Sequence, residues 1–171
     1  MRLAAGIAAA ALVADQASKA VVLYVLDLPQ RLAIDVLPPF FNLRMAWNFG
    51  VNFGLFARDS DAVRWTLIAV ALAICALVWR WCARDVAAGR AAGRRVWPMQ
   101  AATGLLVGGA LGNVIDRLVH GAVADFINMS CCGIDNPFAF NVADAAIFAG
   151  ALGLILFSGA GSDAPPGNKT P

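Results

Sequence analysis

The chain has 171 residues, of which 60% are hydrophobic and only 14% charged, with a formal net charge of +2. At a mean hydropathy of +0.70, it carries more apolar surface than a soluble core of this size can bury, so lipid is the expected solvent. The near-neutral balance argues against a nucleic-acid-binding basic face. A single histidine, His120, and four cysteines without CxxC spacing argue against a zinc site or a disulfide scaffold, and no metal or cofactor is expected.

Residues 3–26 form the first predicted span, apolar except for Asp15, Gln16, Ser18 and Lys19. The same start also fits a cleavable secretory signal, with Met1-Arg2, an apolar run and Leu12-Val13-Ala14. Apolar sequence resumes at Ala20–Leu26, which favours a retained helix. Asp15 and Lys19 share a helical face and read most simply as a buried ion pair.

Residues 34–57 are predicted to be a β-structured outer loop. From Phe41 to Leu55 every odd position is apolar (Phe41, Leu43, Met45, Trp47, Phe49, Val51, Phe53, Leu55), a period of two with one greasy face. Gly50 or Gly54 would permit a turn. Such a sheet could lie on the outer leaflet or simply cap the helices; the pattern fits both.

The second span is expected at about 62–83, around the uncharged run Trp65–Trp79. A basic connection follows, with Arg80, Arg84, Arg90, Arg94 and Arg95 against Asp85. The connection before span two sets Arg31, Arg44 and Arg58 against Asp27, Asp35, Asp59 and Asp61. The positive-inside bias therefore puts residues 84–95 in the cytoplasm and the other connections outside. With four spans, both termini are then cytoplasmic. Trp79, Trp81 and Trp97 fall at the inner interface and Trp65 at the outer one.

Span three is expected at 96–117. Gly104, Gly108 and Gly112 recur every four residues, a small-residue face for close helix packing, and Ala146 and Gly150 offer a matching face on span four. Span four covers 141–158, and residues 159–171 read as a disordered cytoplasmic tail. The fold class is thus an all-α polytopic membrane protein with four transmembrane helices and a small outer-leaflet β-structured loop, one integral membrane domain over 1–158.

Charges converge at the outer end. At about 1.5 Å per residue, Asp116 and Arg117 lie about 30 Å beyond Val96, and Asp144 lies one turn inside the same interface. Asp125 falls in the short connection between spans three and four. Each residue also has a structural explanation. Asn141 and Asp144 have the spacing of an N-cap and an N3 acid. Asp116 sits at a helix C-terminus, where the macrodipole disfavours an anion, and Arg117 is positioned to compensate. For Asp125 the default reading is an exposed loop acid, but its apolar neighbours and the lack of an adjacent cation suggest partial burial, which raises a carboxyl pKa.

Two carboxylates in unlike environments are what an aspartic peptidase requires. Such a pair shares one proton; the ionised member deprotonates water while the protonated one polarises the scissile carbonyl. Rival readings are a small ion or proton conductor and a non-catalytic assembly subunit. His120 and Ser130 lack a third orienting group for nucleophilic catalysis.

Five blocks occur in order: Asp15-Gln-Ala-Ser-Lys19; Asn48-Phe-Gly50-Val-Asn-Phe53-Gly; Gly108-Gly-Ala-Leu-Gly112-Asn113-Val-Ile-Asp116-Arg117; Val123-Ala-Asp125-Phe126; and Phe140-Asn141-Val-Ala143-Asp144. Over about residues 10–150 the chain resembles the bacterial lipoprotein signal peptidases, or signal peptidase II. That resemblance implies an intramembrane aspartic endopeptidase of the bacterial inner membrane, with its site near the periplasmic face. Its implied substrates are diacylglyceryl-modified prolipoproteins, cut just before the lipid-bearing cysteine, and membrane lipid is the other implied partner. Asp125 and Asp144 match the family's catalytic pair. Asn113, Arg117 and Asn141 match polar positions around it, Asn48 and Gly50 match the outer-loop block, and Asp15, Lys19 and Asp116 match further, supporting positions. The chain departs from the family pattern at Val51-Asn52 and at Cys131–Asp135.

Overall fold

The computed structural model describes residues 1–50, 61–131, 133 and 136–158. Helix α1 (Arg2–Ala20) continues into a widened π-helical segment, Val21–Val25. A short α2 (Leu28–Arg31) leads to strands β1 (Ala33–Leu37) and β2 (Phe41–Asn48). Then come α3 (Asp61–Ala91), α4 (Trp97–His120), β3 (Val123–Asn128) and α5 (Val142–Ser158).

Among the described residues, three stretches are helical, long and apolar enough to cross a membrane: Arg2–Val25, Asp61–Ala91 and Trp97–His120. The fourth expected span, α5, is apolar but has 17 residues. Helix α4 is the scaffold. It packs on α1, α3 and α5, and 56% of its apolar window is buried against 11% for α3. Most of the α3 surface therefore faces outward as apolar side chains, including Val70, Leu72, Ile74 and Leu77, which suits lipid as solvent.

Glycines on α4 set the helix spacing. The Gly104, Gly108 and Gly112 face meets α1, not α5 as the sequence suggested. A Cβ on Gly104 would lie 2.6 Å from the Ala4 carbonyl oxygen, and one on Gly108 would meet the Ala8 carbonyl oxygen and stand 2.9 Å from the Ala11 Cβ. The α5 interface uses the neighbouring face of α4. There Gly150 lies against Leu106 and Ala102, and Gly109 against Ala143 and Ile147.

The expected loop sheet forms, with corrections. Among the described residues it has three antiparallel strands in the order β1-β2-β3, and the third was read from sequence as a plain connection. The β1–β2 turn falls at Pro38–Phe40 rather than at a glycine, and Gly50 follows β2. Period-two burial is broken within β2: Asn42 is buried beside Leu43, Ala46, Trp47 and Asn48 are all exposed, and the pairing with β3 shifts register at a bulge between Leu43 and Ala46. Leu43 packs with Val22, Leu28 and Phe126, with Phe41 and Met45 alongside, seating the sheet on the π-helical end of α1. Val51, Phe53, Gly54 and Leu55, like the tail 159–171, lie outside the described residues.

Helix α3 is also longer than expected. Residues 84–91, read as loop, continue the helix, so that only residues 92–96 connect α3 to α4. At 31 residues, or about 46 Å, α3 exceeds the ~30 Å hydrocarbon core of a bilayer.

Helix spacing makes a testable contrast. Gly108→Ala should destabilise the protein by about 1–3 kcal/mol, because rigid backbone must move. Gly6→Ala, with open space around it, should be neutral or slightly stabilising. Thermal unfolding in detergent checks both; equal effects would refute the packing argument.

Candidate functional site

The site is built on a buried cation. Lys19 Nζ lies 2.8 Å from Asp15 Oδ2 and 2.7 Å from Asp116 Oδ2, with Asn113 Oδ1 accepting at 3.2 Å. Asp15, Lys19 and Asp116 are all almost fully buried. The expected Asp15–Lys19 pair is therefore present, but Asp116 is compensated by Lys19 rather than by Arg117. Gln16, not singled out from sequence, donates to Asp15 Oδ2 at 3.2 Å, to Asp116 Oδ1 at 3.0 Å and to the Gly112 carbonyl at 3.3 Å. Glycine is required at 112, since a Cβ there would collide with the Asp15 carboxylate.

Each carboxylate of this cluster holds a backbone N–H in another element. Asp15 Oδ1 accepts from Ala143 N at 2.9 Å, at the start of α5. Asp116 Oδ2 accepts from Ala124 N at 3.2 Å, on β3. Ala143 immediately precedes Asp144, and Ala124 immediately precedes Asp125. One ion cluster thus fixes the backbone beside both candidate acids.

Asparagine amides hold the acids themselves. Asn141 Nδ2 donates to Asp125 Oδ1 at 2.6 Å, and Asn48 Nδ2 donates to Asp125 Oδ2 at 3.1 Å. Asn113 Nδ2 donates to Asp144 Oδ1 at 2.9 Å. At the start of α5 a capping box closes. Asp144 N donates to Asn141 Oδ1 at 2.8 Å, and Asn141 N donates to Asp144 Oδ2 at 3.3 Å. The helix-cap role expected for Asn141 and Asp144 is therefore real, and it coexists with contact to Asp125. Asn141 comes beside β3 because Phe140 bridges Ile127.

Asn48 reaches Asp125 diagonally across the sheet, since its direct partner on β3 is Val123. Its amide is oriented by the Gly50 N–H, which donates to Asn48 Oδ1 at 3.0 Å. Gly50 has φ +121°, outside what side chains tolerate, and a Cβ there would come within 2.6 Å of Leu67 on α3.

Asp125 is a buried strand residue, 4% exposed, rather than an acid in a connection. Burial pushes its carboxyl up to about 6, and the neighbouring Asp144 charge acts in the same direction. The amides of Asn48 and Asn141, and the Lys19 charge, pull the other way. Arg117 stands within electrostatic range of Asp116, Asp125 and Asp144, yet its described hydrogen bond goes to the Asn113 carbonyl at 3.3 Å. Its Nε is buried without a partner among the described residues. His120 packs against Trp47, ring centroids 5.5 Å apart. Among the described residues no group of three His, Cys, Asp or Glu side chains is arranged to hold a metal.

Two outcomes follow from this geometry. A carboxyl raised in the folded state favours folding while protonated, and that contribution is lost as pH rises through its folded pKa. Thermal stability should therefore decline between about pH 4 and 6 and level off above that, and Asp125→Asn should remove that slope. An unchanged slope would contradict the burial argument. Lys19→Met should cost about 3–5 kcal/mol by leaving buried carboxylates uncompensated, with a partial recovery in Lys19→Met/Asp116→Asn, measured by denaturant or thermal unfolding.

Comparison with known proteins agrees with this architecture. The chain is 44% identical to the lipoprotein signal peptidase of Methylobacterium sp. (strain 4-46) over 149 residues, covering 87% of this chain and 84% of the relative. It is also 44% identical to that of Methylorubrum extorquens (strain PA1) over 153 residues, covering 87% and 81%. Its fold is similar to a bacterial membrane enzyme solved by the in meso method at 2.3 Å resolution, with TM-score 0.75 and 24% identity over 100% of this chain and 96% of that one. Residues 7–159 match the family described as Signal peptidase (SPase) II. With a family match over most of its length and relatives this similar, the chain belongs to the signal peptidase II family of membrane peptidases.

Proposed function

We propose that this protein is an intramembrane aspartic endopeptidase that removes signal peptides from diacylglyceryl-modified bacterial prolipoproteins, cutting just before the lipid-bearing cysteine. The observation that carries the reading is Asn141. Its side chain donates to Asp125 at 2.6 Å while its backbone N–H donates to Asp144 at 3.3 Å. A strand acid and a helix acid are thus linked through one residue, in unlike surroundings. The α5 helix supplies the fourth span, both termini are cytoplasmic, and the site lies near the periplasmic face, consistent with the arginine bias of residues 80–95.

In this mechanism the pair holds one proton. Asp144, in the first turn of α5, is the member suited to carry charge, because a helix start favours an anion. Asp125, buried on β3, is suited to hold the proton. The carboxylate takes a proton from water as the water oxygen attacks the scissile carbonyl carbon. The carboxylic acid gives its proton to the carbonyl oxygen, forming a neutral gem-diol. Collapse breaks the C–N bond: the amine leaves with the proton that the pair took from water, while one gem-diol hydroxyl gives its proton back to the other carboxylate, so that the pair again holds one proton. Because the titration belongs to the pair, the rate should fall as pH rises past its upper apparent pKa, the direction set by the raised carboxyl of Asp125.

The test uses purified full-length protein in proteoliposomes with a lipidated precursor. Asp125→Asn and Asp144→Asn should each reduce cleavage at least about a hundredfold, at the low end of what acid–base groups supply, while inserting normally. Full turnover by either variant overturns the dyad. Reporter fusions at residues 90 and 130 should read opposite sides of the membrane; equal readouts defeat the orientation.

A further inference from the structure

At the opposite end of the molecule from the sheet, the last turns of α3, the start of α4 and the end of α5 enclose a cavity of about 320 Å³. It is lined by Asp85, Arg94, Arg95, Met99 and Phe157, with Val96 and Pro98 at the α3–α4 connection. We infer that this cavity is a binding site for the phosphate headgroup of an anionic phospholipid, with an acyl chain against its apolar side chains. This proposal rests on the membrane character of the chain and not on the peptidase chemistry.

Charge comes first. Arg94 and Arg95 face one acid, Asp85, and the only ion pair described there is Arg94 to Asp85 at 3.6 Å, with both side chains about a third exposed. That contact is long and partly solvated, so it neutralises little. Arg95 is exposed and makes no described ion pair. A net positive cavity therefore remains, and guanidinium groups bind phosphate oxygens through paired N–H donors.

The second argument is shape and polarity. Met99 is buried and belongs to the helical core, while Phe157 is 45% exposed. The lining thus combines apolar side chains, one of them exposed at the end of α5, with cationic ones. A free inorganic anion would use only the cationic side chains; a phospholipid uses both kinds. Depth is the third argument. Because α3 is about 46 Å long, its charged end lies beyond the hydrocarbon, at the level of headgroups. Trp81 and Trp97, 44% and 59% exposed, stand at the same end, as interfacial tryptophans do. Basic pockets between spans on the cytoplasmic side are a known form of acidic-lipid site.

The test measures lipid binding to the full chain in detergent by native mass spectrometry, comparing phosphatidylglycerol with phosphatidylcholine. The parent should prefer phosphatidylglycerol. Arg95→Gln should weaken that lipid about fivefold, the effect of one interfacial arginine, and Arg94→Gln/Arg95→Gln should bring it to the phosphatidylcholine level. Asp85→Asn should change affinity in the opposite direction, strengthening it, because it removes the acid and frees Arg94. Glycerol phosphate and inorganic phosphate should fail to compete at the same concentration; effective competition would mean an anion site without a lipid. No preference in the parent, or an unchanged preference in the double variant with folding intact, overturns the proposal.

Discussion

One ammonium group organises the sheet-bearing end of this molecule. Lys19 sits between Asp15 and Asp116, carboxylates from two different helices, in surroundings where an unpaired charge would be severely penalised. Bringing them together leaves one net negative charge, and the surplus acceptor capacity does structural work. The outward lone pairs of the two aspartates reach Ala143 N and Ala124 N. Helix α5 and strand β3, which carry the two candidate acids, are thereby registered to the same ion. The close approach of α1 to α4 that this requires depends on Gly108 and Gly112, so helix spacing and site geometry are one constraint.

The groups touching the acids are amides, and this has a physical consequence. A lysine or arginine hydrogen-bonded directly to Asp125 and Asp144 would favour ionisation of both. Amide donors from Asn48, Asn113 and Asn141 orient the carboxylates while leaving more freedom over which of them holds a proton. The cations stand one step back. Lys19 reaches Asn113 Oδ1, and Asn113 in turn donates to Asp144. The chain of contacts runs from fixed charge, through neutral amide, to titratable acid. Burial then separates the two carboxyls, raising Asp125 on its strand.

Much of this was legible in sequence where short-range rules apply. The Asn141–Asp144 cap, the Asp15–Lys19 pair and the long helices follow from i, i+3 or i+4 spacing and from apolar run length. What spacing could not show was partnership across the chain. Asp116 stands next to Arg117 in sequence, yet its cation comes from residue 19. The glycine stripe on α4 was visible, but not which neighbour it faced, since Ala-rich α1 and α5 offer similar small surfaces. Strand β3 was missed because Val123–Asn128 is short and mostly apolar, and its acid sits amid buried neighbours instead of alternating with them. The bulge near Met45 likewise hides inside a perfect odd–even alternation, because a register shift is decided by the partner strand.

A strand at the end of a helical membrane protein raises the question of its free edge. Backbone groups next to lipid must be satisfied by protein or water, and an open strand edge invites foreign pairing. On one side β3 is paired with β2. On the other, Ala124 N donates to Asp116, the N–H groups of Phe126 and Ile127 donate to the Phe140 carbonyl, and the Ala124 carbonyl accepts from Asn141. Side chains and one bridging residue thus replace a fourth strand. The same substitutions bring Asn141, and with it Asp144, against Asp125. Satisfying the edge of the strand and assembling the paired acids are therefore accomplished by the same contacts, which is why Asp125 can be buried here without its strand remaining open to another chain.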